Sequence, residues 1–265
     1  MNQEVKRIKQ EDKKALKGFS IWMIAALIIG VLAGMMTSLA EFFFADDIVS
    51  ILTGFMQNIV LPYGMPVVTA IILIVVVVLY NKGKKMFLSW DGDDEEVMDK
   101  AEEYLSYAVW LTSMNMIWLY FIFGATFTGD MWEELKYNDG SFSTLVWTLL
   151  FFILGLVVVS VEQQKLVNLT KQINPEKQGS VFDTKFQKKW EASCDEAEKL
   201  QIYKCAFKAY NVVQIECVVL WLLCLMGGFI WDFGILPIAL ITIIWGTMTT
   251  VYCFESIRLS KKGGK

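Results

Sequence analysis

The chain predicts an all-α, polytopic transmembrane helical bundle of about six spans. Three observations carry that expectation. Hydrophobic residues make up 55% of 265 positions and charged residues only 20%. The charges fall in short clusters between uncharged stretches, several of them long enough for a helix to cross a bilayer, which takes about 20 apolar residues. Lysine and arginine are concentrated on alternate loops. An open chain in lipid satisfies its own backbone hydrogen bonds only as a helix, so each such stretch is read as one.

In order, a basic tail (1–18) precedes a first span near 19–40. Ser38-Leu39-Ala40 has the look of a cleavage site, but the apolar run is longer than a signal peptide needs, and an uncleaved helix is expected. The uncharged run Ile48–Tyr80 is too long for one span. Pro62 and Pro66 mark where its membrane part, 61–80, begins, because proline is tolerated in a first turn. Before them Ile48, Ile51, Leu52, Phe55 and Ile59 oppose Asp47, Ser50, Gln57 and Asn58, an amphipathic pattern suited to the outer membrane surface. Further spans follow near 105–128, 141–162, 209–230 and 233–254, joined on one side by loops 81–104 and 163–208. The whole chain, 1–265, reads as a single integral membrane domain.

Orientation comes from the basic residues. Of 24 Lys and Arg, only Lys136 falls in a loop on the other side, where eight acids collect: Glu41, Asp46, Asp47, Asp130, Glu133, Glu134, Asp139 and Asp232. Positive charge stays inside, so both termini and the two long loops are expected in the cytoplasm, with the chain multi-pass in the plasma membrane.

Composition also excludes chemistry. There is no histidine, which removes the commonest general base, the Ser-His and Cys-His nucleophile pairs, and most zinc and haem ligand sets. No phosphate-binding loop is present, and no aromatic interleaving of basic patches suggests nucleic acid. Asp91, Asp93, Glu95 and Glu102 match four places of a calcium loop, but Glu96 stands where a glycine must make the sharp turn. No enzyme activity, cofactor or metal is therefore expected. Of five cysteines, Cys217 and Cys224 share a helix face at a spacing of seven; they read as small buried hydrophobes, with a metal or redox pair as the alternative.

An internal echo organises the two loops. Trp90-x-x-Asp93-x-Glu95-Glu96 returns as Trp190-x-x-Ser193-x-Asp195-Glu196. Asp93 and Ser193 each stand three before a glutamate, the spacing of a capping box, so each echo is expected to open a helix that continues into a span. Ala26, Gly30, Gly34 and Ser38 place small residues every fourth position of the first span, a face suited to close helix packing.

Two functional readings follow. A non-enzymatic sensing, immunity or regulatory protein would present the capped helices and the 163–208 loop to a cytoplasmic protein partner or a second copy of itself, with Trp90, Phe182, Phe186 and Trp190 as anchors. The bland alternative puts both tryptophans at the inner membrane interface. A transporter or permease subunit would instead use Glu216, the acid inside the fifth span, as an ion or proton site with Asn115 and Gln214, and with Asn211 or Thr247 nearby. That reading expects Glu216 to face the bundle interior; an interhelical hydrogen bond is its structural counterpart.

Glu11-Asp12-Lys13-Lys14-Ala15-Leu16 before a Gly-rich span, and Asp195-Glu196-Ala197-Glu198-Lys199-Leu200 running to Lys208-Ala209-Tyr210, resemble elements of an uncharacterised family of six-span membrane proteins from Gram-positive bacteria, catalogued as a domain of unknown function. The resemblance covers nearly the whole chain. It implies an accessory protein with a regulatory or stress-response role, and it brings no site residues.

Overall fold

The structure is a computed structural model describing residues 51, 54–91, 95–126, 139–231 and 234–262. The regular elements among them are all helical: α1 (Leu61–Ser89), α2 (Glu95–Thr126), α3 (Asp139–Ile173), α4 (Phe186–Ala192), α5 (Glu196–Trp231) and α6 (Leu236–Lys262). All except α4 contain a stretch long and apolar enough to cross a membrane. The expected first span, 19–40, and its packing face Ala26, Gly30, Gly34 and Ser38 lie outside the described residues, as does the expected cap Asp93.

A π-helical turn, Met56–Val60, leads into α1 without a break. Pro62 lies in the first turn of α1, directly after the π-helical turn, and Pro66 lies inside the helix, where it leaves the carbonyl one turn back without its usual partner. Ile51, Phe55 and Ile59, apolar positions of the segment expected at the membrane surface, are exposed. Helix α6 starts at Leu236, just after Gly234, whose φ of 64° suits a residue without a Cβ.

The chain divides into two compact units, Ser50–Ile202 and a second made of Met1–Val49 with Tyr203–Lys265. In the first, α1, α2 and α3 pack as a three-helix unit. The buried residues of α2 are Ala101, Leu105, Ala108, Thr112, Asn115, Leu119, Ile122 and Thr126. Their steps alternate between four and three, the heptad seam that keeps one face of a helix against its neighbours over its whole length. Two clusters lie along this seam. One joins Val76, Leu105, Ala108, Leu166 and Leu169, with Phe87 and Ile173 against it; the other joins Met65, Leu119, Ile122 and Val159. Close approach is built in at Gly155, where a Cβ would sit 2.8 Å from a methyl of Leu119. Phe123 and Phe152 stack with ring centroids 4.1 Å apart.

The outer faces of the same helices are apolar and exposed, Ile71, Ile74, Trp110, Ile117 and Ile153 among them. A water-soluble protein rarely shows such a continuous apolar surface, and lipid is the solvent that suits it. Both clusters thus sit within a unit that is apolar inside and out, and the first extends past the uncharged stretches towards the lysine-rich end.

In the second unit the described helices are α5, from Tyr203 on, and α6. They meet through Tyr210 stacked on Tyr252 at 4.7 Å and through the side chain of Gln214.

Candidate functional site

The lysine-rich end of the first unit carries the most elaborately built region. Helix α3 is uncharged from Gly140 to Val161 and then runs on from Glu162 to Ile173, about 16 Å further at 1.5 Å per residue. The chain turns there, with the Lys177 amide donating to Asn174 O at 3.1 Å, and comes back along the helix it has just left. Lys171 Nζ donates to Gly179 O at 2.7 Å. The Ser180 hydroxyl and the Val181 amide both donate to Gln164 Oε1, at 2.9 and 2.8 Å. Gly179 has φ 125° and a Cβ there would collide with the Phe186 ring at 2.8 Å, so this position needs glycine twice over.

A buried lysine locks the return. Lys177 is 5% exposed, and its ammonium donates to Glu198 on α5 and, at 3.6 Å, to Cys194 Sγ. Burial pushes the Lys177 pKa down, but the bond to Glu198 and the neighbouring Cys194 outweigh it, and the net shift is upward. Removing one partner of such a pair strands a charge in a poorly hydrated place. Glu198 has a second role. Its carboxylate accepts from the Asp195 amide at 3.0 Å while Asp195 Oδ1 accepts from the Glu198 amide at 2.7 Å. This is the reciprocal box expected at the start of α5, formed two residues later than the spacing from Ser193 predicts. Ser193 instead donates to Trp190 O and accepts from the Gln178 amide. The physical reason is that Ser193 still belongs to the C-terminal end of α4, so the free amides of α5 begin only after Asp195.

The expected anchors separate into two kinds. Phe186 and Trp190 are half-buried, 5.5 Å apart, and form the interior of the returning segment. Phe182 is 67% exposed and Trp90, at the end of α1, is 40% exposed. The echo is seen in part: α2 and α5 both start beside acid clusters and run on into span-capable stretches, but Trp90 caps α1 whereas Trp190 lies within α4.

Of the expected intramembrane site, Asn115 belongs to the first unit and Gln214 and Glu216 to the second. Asn115 is 3% exposed and accepts from Thr69 Oγ1 at 3.1 Å. With Thr112 and Glu162 it lines a cavity of about 10 Å³, close to the least that holds one water. Glu162, 9% exposed and bonded to Lys165 at 2.9 Å, is a buried acid at the very end of the expected span 141–162. Gln214 donates to Tyr210 Oη at 2.8 Å and Thr249 Oγ1 at 3.1 Å and accepts from Trp245. Glu216, expected to face inward, is exposed, as are Asn211 and Thr247. The reason is the helical step: two residues turn a side chain about 200° away, so with Gln214 towards α6 its neighbour points elsewhere.

All five cysteines are free, and the described residues contain no cluster of three or more acids and cysteines able to hold a metal. No curated protein and no solved structure matches the chain. The family model described as "Protein of unknown function (DUF3169)" matches residues 13–254. With five span-capable helices among its described residues and this match over most of its length, the chain belongs to the DUF3169 family.

Proposed function

We propose that this is a non-enzymatic, multi-pass protein of a bacterial plasma membrane, with a sensing, immunity or regulatory role, that presents its lysine-rich end to a soluble partner in the cytoplasm. The single observation behind this reading is the order of residues 174–198, held by the buried Lys177 across Cys194 and Glu198. A connection between two spans needs no buried lysine, and ordering it is costly in conformational entropy. A surface that must keep one shape for recognition gives that order a use. Trp90 supplies an exposed aromatic at the same end, and aromatic residues are over-represented among the side chains that dominate interfaces. The asymmetry of Lys and Arg supports the cytoplasmic assignment of that end and of both termini.

The test is photo-crosslinking in cells with benzoylphenylalanine in place of Trp90. The reading expects one protein adduct of discrete mass, lost when Lys177→Ala releases the segment. An adduct unaffected by Lys177→Ala, or none, overturns it.

A further inference from the structure

The geometry points to Phe182 as a membrane anchor: we propose that its exposed ring sits at the headgroup–acyl boundary of the leaflet on the lysine-rich side, with Lys185 and Lys188 beside anionic headgroups. The argument is one of height. The last uncharged residue of α3 is Val161, and Gln164 lies one turn beyond it. Helical side chains tilt towards the N-terminus of their helix, which for α3 is the direction of the span. Gln164 Oε1 therefore lies level with or below its own backbone, and it is this atom that Ser180 and Val181 bind at 2.9 and 2.8 Å. The returning segment has come back to the foot of the extension, where the apolar stretch ends. Phe182 is the next residue and is 67% exposed.

Aromatic rings favour this layer, and lysines near it attract anionic lipid. Lys185 and Lys188 are exposed, whereas Lys165 is engaged by Glu162 at 2.9 Å. The nearest acid, Asp183, is engaged by Lys189 and by the Lys185 amide, so it offers little bare negative charge to the leaflet. Trp90 provides the contrast. It stands nine residues beyond Asn81, the last residue of its uncharged run, about 14 Å further along the helix. The occupant of the Phe182 surface is thus lipid, while Trp90 remains clear of it. This inference rests on the contacts of Gln164 and stands whether or not a soluble partner exists.

The test uses the purified full-length protein in nanodiscs of phosphatidylcholine, with and without phosphatidylglycerol. Benzoylphenylalanine replacing Phe182 is expected to give a phospholipid adduct by mass spectrometry, enriched in phosphatidylglycerol, while the same group replacing Trp90 gives none. Lys185→Gln and Lys188→Gln each lower the phosphatidylglycerol adduct, by up to about five-fold. In the unmodified chain, amide exchange at residues 181–186 slows when phosphatidylglycerol is added. Equal lipid adducts at both positions, no lipid adduct at 182, or exchange indifferent to lipid charge overturns the proposal. Those outcomes leave the Trp90 crosslink in cells untouched, so the two readings fail separately.

Discussion

Thr69 on α1 donates to Asn115 on α2 at 3.1 Å, and Asn115 is 3% exposed at the middle of the α2 seam. A carboxamide in an apolar unit needs such a partner, because hydrocarbon offers none. Asn115→Ala removes it. The expected loss is about 0.6 kcal/mol, at most about 1.7, since interhelical hydrogen bonds in membranes are worth little more than those in water. Thermal unfolding in detergent checks this, and Asn115→Ala combined with Thr69→Val should cost little more than Asn115→Ala alone. Fully additive losses would show that the pair is not a bond.

Gly155 and Leu119 give a steric test of the same unit. A Cβ at Gly155 would meet both Leu119 methyls, at 2.8 and 2.9 Å, and Leu119 is fully buried with no room to retreat. Gly155→Ala is expected to destabilise by about 1–3 kcal/mol through overpacking. Leu119→Ala opens a void at the same place, so the double variant should be more stable than the sum of the two single losses predicts. Strict additivity would mean that α2 and α3 do not approach here.

How far the sequence discloses this arrangement depends on which solvent each face meets. The uncharged stretches and the helix starts near Glu95 and Glu196 are legible because charge is excluded from hydrocarbon and acids favour helix N-termini. The seam of α2 is not, because its lipid-facing side is as apolar as its buried side and leaves little amphipathic contrast. Asn115 stands out as polar within a span, yet nothing in one dimension ties it to Thr69 or to Glu162. Glu162 escapes notice because a glutamate after an apolar run also fits the end of a span, and only the packing of α3 reveals that it is buried. The return of residues 174–181 along α3 is held to that helix by Lys171 and by one carboxamide, Gln164, residue types common at any helix surface.

Lys177 and Glu198 predict a hierarchy of variants. Lys177→Ala leaves Glu198 with its capping bond to Asp195 but opens the return, so trypsin should cut at Lys185, Lys188 and Lys189 faster than in the parent chain. Glu198→Ala removes both the clasp and half of the capping box, and an N-terminal box is worth about 1 kcal/mol. It should therefore be cut at least as fast, with fraying at the start of α5 visible by amide exchange. Lys177→Met keeps the bulk without the charge and leaves Glu198, 39% exposed, without its cation, as Lys177→Ala does. If Lys177→Met is cut as fast as Lys177→Ala, the charge pair itself orders the segment; slower cutting assigns the order to packing. Equal cutting of all variants and parent would remove the clasp from the account.

The same segment should respond to pH only at the extremes. The Lys177 pKa is raised above its ordinary 10.5 by Glu198 and Cys194, which overcome the opposing effect of burial. Its contribution is whole below 10.5 and is lost as pH climbs through the higher folded value. Asp183 is held below its ordinary 3.8 by the Lys189 side chain and the Lys185 amide. Its contribution is present above 3.8 and disappears as pH falls through the lower folded value. Amide protection of residues 177–190, corrected for intrinsic exchange, should therefore be flat across the neutral range and fall off at both ends. Glu198 is likewise held below its ordinary 4.5, chiefly by Lys177, so Lys177→Met should abolish the alkaline edge and weaken the acid one, whereas Asp183→Asn should weaken the acid edge alone. A transition centred between pH 5 and 8 would require another titrating group, and with no histidine in the chain it would have to be a strongly perturbed cysteine or carboxylate.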